Sequence, residues 1–373
     1  MTGLELRSKI TSAGELQLWL EEVAVPEPGP DQVVLRVEAA PINPSDLGLL
    51  LGPADLATLR AGGTPERPTI TASVPHARLA LVEGRLDQAM PVGNEGAGVV
   101  VTAGGNAQTL LGRTLAARAG GMYAQYRLVN TADTIPLPEG TRARDGASAF
   151  VNPLTALGML ETMRREGHRA LVHTAAASNL GQMLVRLCRA DDVPLVNIVR
   201  SKHQETLLRE LGATHVVDSS SPTFVDDLTD AVAETGATLA FDAIGGGTLA
   251  STILTCMERV AGRRETVYSR YGSTVHKQVY LYGSLDVGPT VLNRNYGMAW
   301  GVGGWLVFSY LGKLGAETFQ RLRDRVAAEL TTTFASRYTD EISLTQALDP
   351  AVIAAYSKRA TGEKYLVTPT KGA

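Results

Sequence analysis

Between Ala170 and Lys202 the chain reads ALVHTAAASNLGQMLVRLCRADDVPLVNIVRSK, and its apolar spacing changes twice. Ala170–His173 has strand character and runs into a turn of small residues, Thr174–Asn179. From Leu180 the apolar positions are Leu180, Met183, Leu184, Leu187 and Cys188, the 3.6-residue period of a helix with one buried face. Leu195–Val199 is a continuous apolar run, short enough for a buried parallel strand. Strand, tight turn, helix and strand form a βαβ unit. Its turn lies where a dinucleotide pyrophosphate would rest on the free N–H groups of the helix.

Before this unit the pattern is that of a β-rich domain. Pro26, Pro28, Gly29 and Pro30 exclude helix and lead into a strand at Gln32–Val37. Asn43 and Asp46 close that region and open a short helix, where each has the chemistry of a cap. Thr69–Val74 and Ala77–Val82 suggest a strand pair, and Val99–Val101, Gly112–Ala117 and Tyr123–Val129 suggest further strands. Helix resumes at Asp145–Met159. Asn295 to Gly312 carries no charge and approaches the length of a membrane span. Its four glycines before Trp305 argue instead for buried strand and turn, at a subunit contact.

Composition narrows the class. A chain of 373 residues accommodates two domains. Its 44% hydrophobic and 20% charged content is that of a soluble globular protein. A net charge of −3 argues against nucleic acid or an anionic membrane as the main partner and leaves a small-molecule substrate. MTGLELRSKI has no apolar core of signal-peptide length, and the two cysteines, Cys188 and Cys256, fall on apolar helix faces. The expected compartment is the cytoplasm.

The candidate chemistry sits at the two ends of the βαβ unit. Ala175, Ser178 and Asn179 stand where glycines are usual in a dinucleotide turn, and only Gly181 keeps its identity. A βαβ unit that binds nothing is the competing reading. After the second strand an NAD site would carry Asp or Glu for the ribose 2′-hydroxyl. Here the residues are Arg200-Ser201-Lys202, two cations and a hydroxyl suited to a 2′-phosphate, which favours NADPH over NADH. A solvated loop is the alternative.

The ordered set NPSD (43–46), GNEGAG (93–98), MYAQYRLV (122–129), IPLPEG (135–140), NPLTALGML (152–160), LRELGATHVVD (208–218), FDAIGG (241–246), VYLYGS (279–284) and TGEKYLV (361–367) covers most of the chain. It resembles the medium-chain dehydrogenase/reductase superfamily, in particular its zinc-free quinone oxidoreductase-like branch. The resemblance implies an α/β fold: a GroES-like β-rich catalytic domain, residues 1–145 with 315–373, and a Rossmann NADP-binding domain with a doubly wound parallel sheet, residues 146–314. It implies that Ser178, Asn179, Leu180 and Gly181 hold the pyrophosphate and that Arg200, Ser201 and Lys202 take the 2′-phosphate, with Ser219 nearby. Thr155 would touch the phosphate or nicotinamide side, and Ile244 and Gly245 the nicotinamide ribose. Gly283, Ser284 and Leu285 would meet the carboxamide, Lys364 would approach the cofactor, and Asn43 and Asp46 would line the substrate side of the cleft. A homodimer is implied through the 297–308 segment.

Zinc-dependent relatives carry Cys and His where this chain has Pro44, Ser45 and Asn94, so a catalytic zinc is not expected. Hydride transfer to a quinone or another electron-poor acceptor needs less Lewis-acid help than alcohol oxidation. Two rivals remain: an enoyl-thioester (2-enoyl) reductase, and a non-catalytic NADPH-binding protein. The family's Tyr after the NPSD helix is missing, since Gly52 is followed by Pro53 and Ala54. Two insertions, 53–90 and 263–277, depart from the family pattern. The second is basic and reads as a solvated face or as a contact for an acidic substrate. No catalytic proton donor is identified: Tyr282 and Tyr296 fall near the nicotinamide end, where a strand tyrosine is equally a core residue.

Overall fold

The computed structural model describes residues 1–371, which divide into two units, Met1–Val151 with the segment from Arg323 onward, and Asn152–Leu322.

The first unit is β-rich. Alternating apolar residues let Thr2–Ile10 and Glu15–Ala24 pair antiparallel, burying Leu6, Ile10, Leu16 and Leu18 on one face. Pro68–Ser73 adds to Glu15–Ala24, and Arg60–Gly63 adds to Pro68–Ser73. The expected strand at 77–82 does not form: His76–Arg85 is 3-10 helix. Both edges of Pro68–Ser73 are already occupied, and of the apolar residues in the helix Leu79 is buried while Leu81 is 77% exposed. A second sheet is organised on Gln32–Pro41, which pairs with Gly96–Ala103, Tyr126–Asn130 and the C-terminal strand Tyr365–Val367. The end of the chain therefore completes a sheet begun near its start.

The second unit is a parallel sheet flanked by helices. Its strands, numbered within this unit, are β1 (Leu171–His173), β2 (Leu195–Val199), β3 (His215–Asp218), β4 (Leu239–Asp242), β5 (Lys277–Leu281) and β6 (Trp300–Gly304). They lie in the order 3-2-1-4-5-6. All five pairings are parallel, which demands crossover helices and buries both faces. The helices are α1 (Val151–Arg165), α2 (Asn179–Ala190), α3 (Lys202–Glu210), α4 (Phe224–Thr235), α5 (Leu249–Gly262) and α6 (Val307–Leu311). Helix α1 starts at Val151, later than the expected Asp145, and Pro153 falls in its first turn, where a missing N–H costs nothing. The 297–308 segment is not one strand. It gives β6, and after Trp305 and Leu306 the chain turns into α6.

Candidate active site

The turn after β1 is held by local chemistry. Ser178 is extended, and its hydroxyl accepts the N–H of Gly181, capping α2. Ala175 adopts φ 50°, the left-handed region that glycine normally fills, at a cost of about 1–2 kcal/mol. Gly181 is the glycine that geometry demands: a Cβ there would lie 2.0 Å from the Ala176 carbonyl oxygen. Helix α2 thus packs directly on the turn, driven by its apolar face of Met183, Leu184, Leu187 and Cys188. Leu180 is buried as part of that face, so only its backbone is offered to a ligand. The side chain of Asn179, the first helical residue, is half-buried.

At the end of β2, Ser201 caps α3 by accepting the N–H of Gln204, and Lys202 pairs with Glu205 at 2.8 Å. Lys202 stays 84% exposed while paired, so both cations of the trio, Arg200 and Lys202, face solvent. Ser219, exposed after β3, donates its hydroxyl to the Val199 carbonyl at 2.9 Å, which ties the ends of β2 and β3 together.

A residue that sequence reasoning missed organises the next turns. Asp242, fully buried at the end of β4, accepts the Thr174 hydroxyl at 2.7 Å and the N–H groups of Ile244 (2.9 Å) and Gly245 (3.2 Å). It fixes the loop after β4 against the turn after β1. The FDAIGG stretch held the signal. Gly245 takes φ +83°, and Gly283 approaches so closely that a Cβ would meet the Ala243 carbonyl at 2.7 Å. The N–H of Leu285 donates to Ala243 at 3.1 Å. Ile244–Gly245 and Gly283–Leu285 are therefore brought together, and Gly283, Ser284 and Leu285 are exposed. Tyr282 and Tyr296 part company here. Tyr296 is fully buried and packs edge-on against Trp300, whereas Tyr282 binds His173 at 2.7 Å.

In the first unit, Asn43 and Asp46 form the expected cap and more. Asp46 accepts the N–H groups of Asn43 and Asn94, each at 2.8 Å. Asn43 donates to Glu95 at 2.8 Å, and its carbonyl oxygen accepts Lys364 Nζ at 3.1 Å. Glu95 also accepts the N–H groups of Phe150 and Val151. Neither Asn43 (2% exposed) nor Asp46 (1%) faces solvent, so they do not line an open surface. Burial pushes the Asp46 carboxyl up to about 7 and the Lys364 ammonium down to about 8. Lys364 is 8% exposed and sits over the Tyr338 ring at 5.7 Å. Thr155, near the start of α1, is also buried.

The 263–277 insertion is only partly a solvated face. Tyr268 (91% exposed) and Tyr271 (58%) are outside, but Lys277 is fully buried. Its Nζ bonds Glu258 at 2.5 Å, Ser273 at 3.0 Å and the Val275 carbonyl at 2.9 Å, anchoring the loop to α5. The 53–90 insertion supplies the outer strands of the first sheet, and residues 61–65 line a cavity of about 510 Å³ with Thr345, Gln346, Leu348, Asp349 and Pro350. Among the described residues no group of three His, Cys, Asp or Glu is placed to hold a metal, and no helix is long and apolar enough to cross a membrane.

A parallel sheet in the order 3-2-1-4-5-6, with a glycine-tight turn after its first strand, is the nucleotide-binding half of a dehydrogenase fold. With the GroES-like β-rich unit it gives the architecture of medium-chain dehydrogenases and reductases. Residues 180–263 match the family model for zinc-binding dehydrogenases. Over 225 residues the chain is 31% identical to the rat synaptic vesicle membrane protein VAT-1 homolog, covering 59% of this chain and 48% of that protein. It is 26% identical to a mitochondrial enoyl-[acyl-carrier-protein] reductase of Xenopus tropicalis, over 54% of this chain and 51% of the relative. The chain spans about half the length of these curated relatives. Among solved structures, a Mesorhizobium loti protein provisionally assigned as an NADPH:quinone reductase superposes with TM-score 0.74 at 25% identity, covering 99% and 98% of the two chains. Escherichia coli quinone oxidoreductase, complexed with NADPH, superposes at 0.70 with 17% identity, covering 99% and 100%. The family match and these likenesses support the medium-chain dehydrogenase/reductase superfamily, in its quinone oxidoreductase-like branch.

Proposed function

We propose that this protein is an NADPH-dependent oxidoreductase that transfers hydride to a quinone or another electron-poor acceptor without zinc. The observation that carries this reading is the turn after β1, where Gly181 lets the first turn of α2 close on the Ala176 carbonyl and sets the N-terminus of that helix at the end of the strand. These residues fit a pyrophosphate. Arg200, exposed at the end of β2, fits the 2′-phosphate, with Ser201 and the start of α3 beside it. The nicotinamide cofactor, when bound, supplies the hydride. The chain's own part is to hold it: Ser178 to Gly181 at the pyrophosphate, Ile244 and Gly245 at the ribose, and Gly283 to Leu285 at the carboxamide. Thr155, Ser219 and Lys364 are assigned to the same cofactor by family position, and Asn43 and Asp46 to the substrate side.

Zinc does not fit the residues present. Pro44, Ser45 and Asn94 replace the soft and borderline ligands of zinc-dependent relatives, so no step passes through a metal. An enoyl-thioester substrate is the second reading. It is favoured by the mitochondrial enoyl reductases among the relatives and by the likeness to the Candida tropicalis enoyl thioester reductase, TM-score 0.68 at 20% identity.

A stopped-flow screen of NADPH oxidation against quinones, enones and enoyl thioesters tests the reading, with nicotinamide fluorescence as the binding assay. Quinone or enone turnover supports it, enoyl-thioester turnover alone supports the second reading, and binding without any oxidation leaves a non-catalytic binder. Arg200→Asp is expected to weaken NADPH roughly tenfold to a hundredfold and NADH hardly at all, since it removes a charge-assisted contact that NADH lacks. Equal losses for both nucleotides would remove Arg200 from the phosphate site. We also assign a homodimer by family likeness, which gel filtration with mass measurement tests.

A further inference from the structure

His173 ends β1 with no exposure to solvent. Its ring stacks on that of Tyr282, with centroids 5.7 Å apart and planes 19° from parallel, and its Nε2 lies 2.7 Å from the Tyr282 hydroxyl. Its other nitrogen, Nδ1, is buried and meets no donor or acceptor among the described residues. Burial keeps the imidazole neutral, with its pKa lowered to about 3, so the ring carries one proton. If that proton sat on Nδ1, a buried N–H donor would be orphaned. On Nε2, only a lone pair is left unpaired, the cheaper defect, because orphaned buried donors are rarer than under-used acceptors. Nε2–H then donates to the Tyr282 oxygen, and the phenolic hydrogen is released to point elsewhere. Tyr282 lines a cavity of about 810 Å³ together with Gly283, Ser284, Trp305 and Tyr310. Burial also raises the Tyr282 pKa, so the phenol keeps its proton.

We propose that Tyr282 is a hydrogen-bond donor to the carbonyl oxygen of the hydride acceptor, and that His173 is the positioning residue that turns its hydroxyl outward. This rests on the reductase reading above and on the assignment of Gly283 and Ser284 to the nicotinamide carboxamide. When hydride adds to an enone or quinone, the electron pair moves onto the carbonyl oxygen, giving an enolate or hydroquinone anion. The Tyr282 O–H stabilises that oxygen as the charge develops, and water supplies the final proton.

Two measurements test it. In the protein without cofactor, the ¹⁵N chemical shifts of His173 are expected to report the Nε2–H tautomer; an Nδ1–H tautomer would overturn the proposal independently of any activity. With the acceptor that the screen identifies, Tyr282→Phe is expected to lower kcat roughly 100-fold. Its KM and NADPH affinity should stay within about threefold, with unchanged near-UV circular dichroism. His173→Gln, whose side-chain N–H can replace Nε2–H, is expected to retain at least a tenth of wild-type kcat, while His173→Leu loses as much as Tyr282→Phe. A folded, NADPH-binding Tyr282→Phe enzyme with full kcat refutes Tyr282 as donor. A wild-type protein that neither binds nor oxidises NADPH refutes the reductase reading instead, and the tautomer then decides the hydrogen-bond geometry alone.

Discussion

Gly181→Ala is the sharpest test of the nucleotide turn. The new Cβ would lie 2.0 Å from the Ala176 oxygen, 2.5 Å from its carbonyl carbon and 2.8 Å from its Cα, all of it backbone that cannot swing aside. An ordinary contact begins near 3.4 Å, so α2 must move about 1.4 Å away from the turn. That movement drags Met183, Leu184 and Leu187, all fully buried, out of their packed positions. Overpacking of this kind costs about 1–3 kcal/mol. The displaced N–H groups would also miss the pyrophosphate, and a 1 Å error in a positioned site costs on the order of 100-fold in rate. Urea unfolding with a fluorescence titration of NADPH reads both effects. Gly48→Ala is the control. Gly48 lies inside the helix Pro44–Leu50 with open space at its Cβ, and alanine there is expected to be neutral or stabilising by up to about 1 kcal/mol. A Gly181→Ala protein that keeps its NADPH affinity within twofold and its stability within about 0.5 kcal/mol of wild type would refute the role of Gly181 in the turn.

Lys277→Met should destabilise the protein by about 3–5 kcal/mol in chemical denaturation, because it leaves Glu258 beside Ser273 without its buried cation; adding Glu258→Gln should recover part of the loss, and its failure to do so would argue against a charge-pair origin. Burial raises the Asp46 pKa above its unfolded value, so its contribution to stability is fully present below about pH 4 and is lost as pH rises through about 7. For Lys364 the folded pKa is depressed, so its contribution is present above the unfolded value and is lost as pH falls through about 8. The melting temperature should accordingly fall between pH 4 and 7 and gain between pH 8 and 10. Asp46→Asn should flatten the first slope, and an unchanged slope would show that another group sets it.

The sequence alone determined what depends on local period and backbone chemistry. The βαβ unit, the glycine kept at Gly181 and the buried faces of Cys188 and Cys256 follow from spacing within one or two turns of chain, whereas Ser178, read as a pyrophosphate contact, is shown as the cap of α2 by the structure. The ordered motifs identified the superfamily because so many short signals fell in sequence. What the sequence left open depends on partners distant along the chain. Residues 77–82 became 3-10 helix because both edges of the neighbouring strand were taken. Lys277 looked like one more cation in a basic loop until Glu258, 19 residues away, drew it inside. Asp242, Glu95 and the His173–Tyr282 pair act through contacts made across 68, 52 and 109 residues. A hydrogen bond of that kind has no periodic trace, because nothing in the local sequence reports which distant donor the fold will deliver.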